Sequence, residues 1–414
     1  MNYKIILCIL IYSLCFAGSI FSQNSKKDSR TGINLSIWKG IATQRTDSVG
    51  STCLNIGIFS SMNRLNGLGV NVIGSSVRRS VNGVQVAGIF NIVGTSAKGT
   101  ILEGNMNGLQ VAGIANINGD NMKGVSLSGL VGIVGDHTQG MVCSGLANIT
   151  GNYSHGIVLG GLLNVTGDES AGVHVAGLGN ISGGSFKGIS SAGLLNVTGE
   201  NLVGVQSAGL ISITANNMTG VQIAGLSNIT GGCASGLQLA PANIAIRAKG
   251  LQIGLFNYYK ESLEGFQLGL VNANPNTRVQ LMLFGGNATK LNMGVRFKNR
   301  LFYTILGGGT HYLDFGDKFS ASVFYRAGLE LPLSQHFFVS GDLGYQHIET
   351  FKNKDVGFPA RLYALQARLN LEYRLTDALG IFLTGGYGTS RYYTRGDTYD
   401  KGMIVEGGVV MFRY

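Results

Sequence analysis

The chain is short of proline, tryptophan and charge. Of 414 residues, 4 are proline, 1 is tryptophan and 13% are charged. With 44% of residues hydrophobic, so little charge excludes a disordered chain. The 65 glycines follow no Gly-X-Y period, which excludes collagen. Cysteine is sparse: beyond the N-terminal leader only Cys53, Cys143 and Cys233 remain, an odd set that makes no disulfide framework. Cys143 stands where other repeats carry Val, Leu or Ile, and reads as a small buried apolar residue. After the N-terminus no apolar run reaches the ~18 residues of a membrane helix.

Chemistry-bearing motifs are missing as well. His137, His155, His174, His311, His336 and His347 show no His-x-x-x-His spacing, and Cys-x-x-Cys does not occur, so no metal site is expected. Gly-rich runs such as GGGTH lack the Gly-Lys-Ser/Thr of a phosphate-binding loop. No catalytic residue and no cofactor are expected, and an enzyme is not the favoured class. Formal net charge is +10, but Arg and Lys are scattered among Asp and Glu. That excludes a nucleic-acid footprint and favours an anionic membrane surface.

Among the features present, the first is MNYKIILCILIYSLCFAGSIFSQ. Lys4 precedes an apolar run from Ile5 to Phe16 and small residues follow, as in a secretory signal peptide over 1–23. The second is a repeat. Glycines at 108, 124, 140, 156, 172, 188, 204, 220 and 236 keep a step of sixteen. Gly67, Gly83 and Gly99 keep the same step, and a seven-residue deletion then resets the phase. Further glycines sit five and eleven residues into each unit. Asparagine recurs eight in, at Asn91, Asn116, Asn148, Asn164, Asn180, Asn196 and Asn228. Apolar residues hold offsets one, three, six and nine.

Fixed-period self-similarity predicts stacked units. Parity changes across the glycine at offset five, so the chain must bend there to keep its apolar residues on one face. Three glycines predict three corners and three short sides. The expected fold is a parallel β-solenoid with Val, Leu and Ile filling the interior and the asparagines forming a ladder between coils. An antiparallel meander or barrel wall is the alternative, but it should alternate two connection lengths and carry aromatic girdles, and the repeat does neither. The repeat also places Asn before Thr or Ser, so Asn148-Ile-Thr and its equivalents match a glycosylation sequon through the period alone. Residues 24–66 precede the repeat as an N-terminal segment or cap, and the repeat domain runs over 67–276.

From 277 to 414 the pattern changes to alternating strands rich in Phe and Tyr. Leu365, Ala367, Leu369, Leu371 and Tyr373 share one face. Gln366, Arg368, Asn370, Glu372 and Arg374 share the other. Apolar residues facing lipid around a charged lumen describe a small outer-membrane-type barrel. Arg326, Glu330, Asp342, Arg368, Glu372 and Arg374 are its expected lumen charges. Eight strands are expected, with the first two in doubt because the loop near 286–288 is short. Tyr414 resembles the terminal aromatic that serves as an assembly signal. An even strand count puts both barrel ends in the periplasm and leaves the side occupied by the repeats, periplasmic or cell-surface, as the open question.

GLQIGLFN at 250–257 and GFQLGLVN at 265–272, beside the sixteen-residue units, resemble a bacterial surface-repeat family of spirochaete and Bacteroides-type envelopes. The resemblance covers about residues 50–275 and implies a Gram-negative envelope location without an established activity. The expected protein is a non-enzymatic outer-membrane or surface protein, with a barrel anchor and a repeat module for structural or binding roles. Its expected partners are outer-membrane lipid, the barrel-assembly machinery and an envelope or surface ligand, with no nucleic acid. The alternative is a transport channel in which the repeats supply barrel strands.

Overall fold

A computed structural model describes residues 31–38, 41–44, 50–94, 104–310, 313–314, 318–353, 361–394 and 396–413. The predicted signal peptide, Gly99, His311 and Tyr414 lie outside them. The fold is all-β: a parallel solenoid of about 14 turns and a closed, antiparallel eight-stranded barrel. The chain divides into two compact units at Leu239/Ala240. The second unit holds the last coils as well as the barrel.

One coil of the first unit illustrates the rest. Met122–Ser128 forms one strand and Val131–Val134 the next, with turns at 129–130 and 135–136. Gly124 kinks the longer strand with φ of 120°, so that three corners result. The next coil lies in parallel register, with Gly124 opposite Gly140 and Val131 opposite Ala147. Parallel pairing at a constant step settles solenoid against meander. It also explains the glycines. A Cβ on Gly124 would lie 2.1 Å from the carbonyl oxygen of Gly108, and one on Gly129 1.9 Å from that of Gly113. At nearly every corner a glycine rests on the corner of the preceding coil and only hydrogen fits between them, with Ala215 and Pro241 as exceptions.

Two expectations are corrected. Gly83 pairs with Gly108, so the break in period is an insertion of nine residues in one coil, not a loss of seven. The added residues, 95–103, lie outside the described residues. The second correction is larger. Val and Leu fill only part of the interior, as at Val77, Val81, Val93, Val134, Val142, Val158 and Leu202, and the other inward positions are mostly polar or small. In the coil that starts at Gly124, Ser126 and Ser128 point inward and are buried, while Leu127 and Leu130 point outward. Across the coils the inward offsets are two, four, eight, ten and fourteen. They carry Gln, Ser or Val, with one His; Ala or Ser; mostly Asn; mostly Thr or Val; and a mixed column that includes Met106, Met122, Phe186, Leu202 and Met218. Offsets one, three, six and nine face out. Cys143 is one of them, half-exposed and unbonded, not a core residue.

The barrel strands are Arg278–Gly286, Leu291–Asn299, Phe302–Thr310, Lys318–Pro332, Phe337–Asn353, Arg361–Arg374, Leu379–Tyr392 and Thr398–Arg413. The first pairs with the last, Leu283 opposite Val409, and closes the cylinder. Both strands that the short 286–288 loop put in doubt are therefore present. The turns at 300–301, 333–336 and 375–378 share one rim with Arg278 and Arg413, and the strand ends Thr310, Lys318, Asn353 and Arg361 lie at the other. Among the described residues no repeat strand enters the barrel sheet.

Candidate functional site: a sealed lumen and two amide ladders

Alternation decides what the barrel interior holds. Inward positions of the long strands bring Arg326, Glu330, Asp342, Arg368 and Glu372 into the lumen, each at most 5% exposed. Arg374, at the short-turn end, is half-buried and stacks on Phe338 with 4.9 Å to the ring centroid. The structure adds members the sequence pattern missed: Arg296, Lys298 and Glu406. Arg296 reaches Glu372 at 2.8 Å and Glu330 at 3.6 Å, and Lys298 also binds Glu330. Arg368 lies 3.5 Å from Glu406 and 3.9 Å from Asp342, and Arg326 lies 3.6 Å from Glu406. Four cations thus face four carboxylates, and the cluster is close to neutral.

Aromatic and apolar side chains fill the rest. Arg326 sits 4.6 Å from the ring centroids of both Phe284 and Phe324. Tyr303 donates to Asp342 at 2.9 Å beside buried Met282, Phe382 and Val410. Eight strands leave room for side chains only. Among the described residues those side chains pack the lumen.

The repeat holds two ladders. Asn148 donates to Asn164 at 2.8 Å, Asn164 to Asn180 at 2.8 Å and Asn180 to Asn196 at 3.0 Å. Each uses its other N–H on a backbone carbonyl one coil on: Leu159, Val175 and Ser191, all at 2.8 Å. That carbonyl lies two residues before the glycine corner, and the amide gives it a side-chain donor. Asn91 continues the pattern to Asn116, and Asn228 is fully buried. Gly132 and Ser212 take the asparagine's place in two coils. Buried in this way, the sequon asparagines are out of reach of a glycosylating enzyme in the folded chain.

Sequence reading missed a second ladder, of glutamines. Gln222 donates to Gln206 at 3.0 Å and Gln238 to Gln222 at 2.9 Å. Its signal was available: Gln85, Gln110, Gln206, Gln222, Gln238, Gln252 and Gln267 all stand two residues after a repeat glycine. His174 occupies this slot in one coil. It is buried against Phe186, its Nε2 has no hydrogen-bond partner, and burial pushes its pKa down to about 4.

Within the second unit the last coil meets the barrel. Asn299, at the short-turn rim, donates to the carbonyl of Asn272. Thr304 donates to the carbonyl of Leu270 at 3.0 Å and Tyr325 to that of Gly269 at 2.9 Å. Thr304 alternates with inward Tyr303 and Ile305, and Tyr325 with inward Phe324 and Arg326. Both point out of the barrel, so the coil lies on the outer wall. Beside it is a hollow of 550 Å³ lined by Lys260, Glu261, Asn276, Arg278, Lys298 and Arg300. With Lys260, Arg278 and Arg300 exposed, it can take an anionic group. Among the described residues no three His, Cys, Asp or Glu side chains come together as metal ligands.

No protein-family model and no curated protein sequence matches the chain. Among solved structures it is similar to Ail, the attachment invasion locus protein of Yersinia pestis, at 11% identity. That alignment covers 33% of this chain and 95% of the other, with a TM-score of 0.21. At that score the likeness carries no functional inference.

Proposed function

We propose that the chain is a non-enzymatic outer-membrane protein whose barrel is an anchor and whose repeats are a structural or binding module. The observation that carries this reading is the outward face of the strand Arg361–Arg374. Tyr363 and Tyr373 bracket Leu365, Ala367, Leu369 and Leu371, with Leu369 68% exposed. Ten residues at ~3.4 Å, tilted by ~40°, place the two rings about 26 Å apart along the barrel axis. That is the height of an apolar band between aromatic girdles. Leu343, Leu383 and Met403 continue the band on neighbouring strands, exposed by 71%, 60% and 75%. Such a belt is a poor surface in water and a good one in hydrocarbon.

The packed lumen favours an anchor over a channel. Outer-membrane lipid and the barrel-assembly machinery are the partners this implies, and an envelope ligand of the repeats stays part of the proposal. The last coil approaches from the short-turn rim, which faces the periplasm in barrels of this kind, and this supports repeats on the periplasmic side.

The test is antibody labelling of intact and lysed Gram-negative cells. One strain carries an epitope tag between Asn216 and Asn217, and a second carries one at Asp397. The Asp397 tag is expected to be reached in intact cells and the Asn216 tag only after lysis. Labelling of both from outside would overturn the periplasmic placement, and labelling of neither the anchor. In planar bilayers the purified protein is expected to give no discrete conductance steps.

A further inference from the structure

The outward surface of the repeats divides sharply by chemistry. Between residues 104 and 239 the charged side chains are Asp120, Lys123, Asp136, Asp168, Glu169, Lys187 and Glu200. All seven fall at offsets twelve, thirteen or fifteen, which is one corner of the coil. The other outward positions are mostly apolar, with Ser191, Ser207 and Ser227 among the exceptions. At offset six Ile89, Ile114, Leu130, Leu146, Leu162, Leu178, Leu194, Leu210 and Leu226 form an unbroken column, exposed by 39% to 53%. Their backbones bond in series from coil to coil, as from Leu146 to Leu130 and from Leu162 to Leu146, both at 2.8 Å.

We propose that the flanks of the repeat are covered by lipid acyl chains. The charged residues of the repeat then face water. This rests in part on the anchor reading. Three observations select lipid over a protein partner. The apolar surface covers two of three sides. Nine coils at ~4.8 Å make each side about 40 Å long and, at ~13 Å wide, about 500 Å². Together the two sides, about 1,000 Å², exceed the ~300–600 Å² of the largest patch on a typical soluble monomer, and a single partner covers one face, not two. Next, the coil that touches the barrel lies on its outward wall through Thr304 and Tyr325, where the surrounding phase is lipid. Finally, Lys260, Arg278 and Arg300 gather beside that contact at the barrel rim, where they complement anionic headgroups.

The interior meets the requirements of such a setting. In hydrocarbon every backbone and side-chain polar group needs an internal partner. Coil-to-coil pairing supplies the first, and the asparagine and glutamine ladders supply much of the second. Sides about 13 Å wide fit one leaflet of a ~30 Å core.

The experiment uses the full chain with Trp38→Phe, which removes its single tryptophan. One reporter is then added per variant: Leu162→Trp or Leu178→Trp on the apolar column, Asn216→Trp at the polar corner, Leu369→Trp on the barrel wall. Each protein is reconstituted into phosphatidylethanolamine/phosphatidylglycerol vesicles with plain or brominated acyl chains, and circular dichroism checks its fold. The expected result is loss of emission in brominated vesicles at Leu162→Trp, Leu178→Trp and Leu369→Trp, with Asn216→Trp unchanged. If only Leu369→Trp is quenched, the lipid proposal is overturned and the anchor stands. If only the two column reporters are quenched, the anchor reading falls and the lipid proposal stands. If nothing is quenched, both fall. Blue-shifted but unquenched column reporters mean that protein, such as a second copy, covers the flanks, which also overturns the proposal.

Discussion

Barrel and solenoid both turn polar side chains inward and apolar ones outward, yet they satisfy the interior by opposite means. In the barrel, neighbouring strands are antiparallel and carry different residues at facing positions. A cation such as Arg296 can therefore meet Glu330 and Glu372. In the solenoid, parallel stacking at a fixed period sets each residue on its own copy. A charge there would face a like charge one coil away, about 4.8 Å off. An amide faces its copy as donor to acceptor and gains from the repetition. Most residues at offset eight and half of those at offset two accordingly carry amides, the rest are neutral, and charges keep to the outside. The symmetry of the stack, not a demand for polarity, decides which polar residue is used.

The barrel half of this comparison is the most fragile. Arg368→Met leaves the carboxylates of Asp342 and Glu406 with one cation fewer in a closed interior. Removing one partner of such a cluster costs about 3–5 kcal/mol. Urea unfolding of the micelle-embedded protein should show a loss of that size in the barrel transition. A loss under 1 kcal/mol would mean that water reaches the lumen.

A neutral misfit in the solenoid should show itself through pH. His174 titrates near 6.5 when unfolded and near 4 when folded. Between those values the unfolded chain binds a proton that the folded chain does not. Stability is therefore complete above pH 6.5 and falls as pH drops toward 4, by about 3 kcal/mol in all. His174→Gln restores the amide of the ladder and should abolish that slope, read from urea midpoints of the repeat transition between pH 7 and pH 4. An unchanged slope would place its source elsewhere, for instance in the carboxylates of the polar corner.

The solenoid was legible because a sixteen-residue period leaves few folds, and the eight strands because lipid-facing alternation persists over ten residues. The register of the solenoid was misread for a physical reason. Periodicity tells which residues share a face, and the inward side was then assigned by the habit that apolar residues are buried. Two signs in the sequence argue for the reverse. Gln222 and Asn228 share a face across the corner at Gly225, and no charge stands on the apolar offsets. In the barrel, Glu406 was missed because it sits in GMIVEGGVV, where glycines blur the alternation, and Arg296 because its strand was doubted.

The register itself can be tested with two substitutions two residues apart. Asn196 is fully buried and donates to the carbonyl of Ser207, while Leu194 is 44% exposed. In the observed register Asn196→Leu takes a donor from that carbonyl and breaks the ladder, at a cost of about 1–3 kcal/mol. Leu194→Asn removes an outward side chain and should change stability by about 0.5 kcal/mol or less. A solenoid with an apolar interior predicts the opposite ranking, since a buried leucine replaced by a smaller polar residue loses about 2–5 kcal/mol. Because the two sites share a coil, global differences between the variants cancel and only the ranking matters. A costly Leu194→Asn beside a harmless Asn196→Leu would turn the coil inside out and remove the basis for lipid on its flanks.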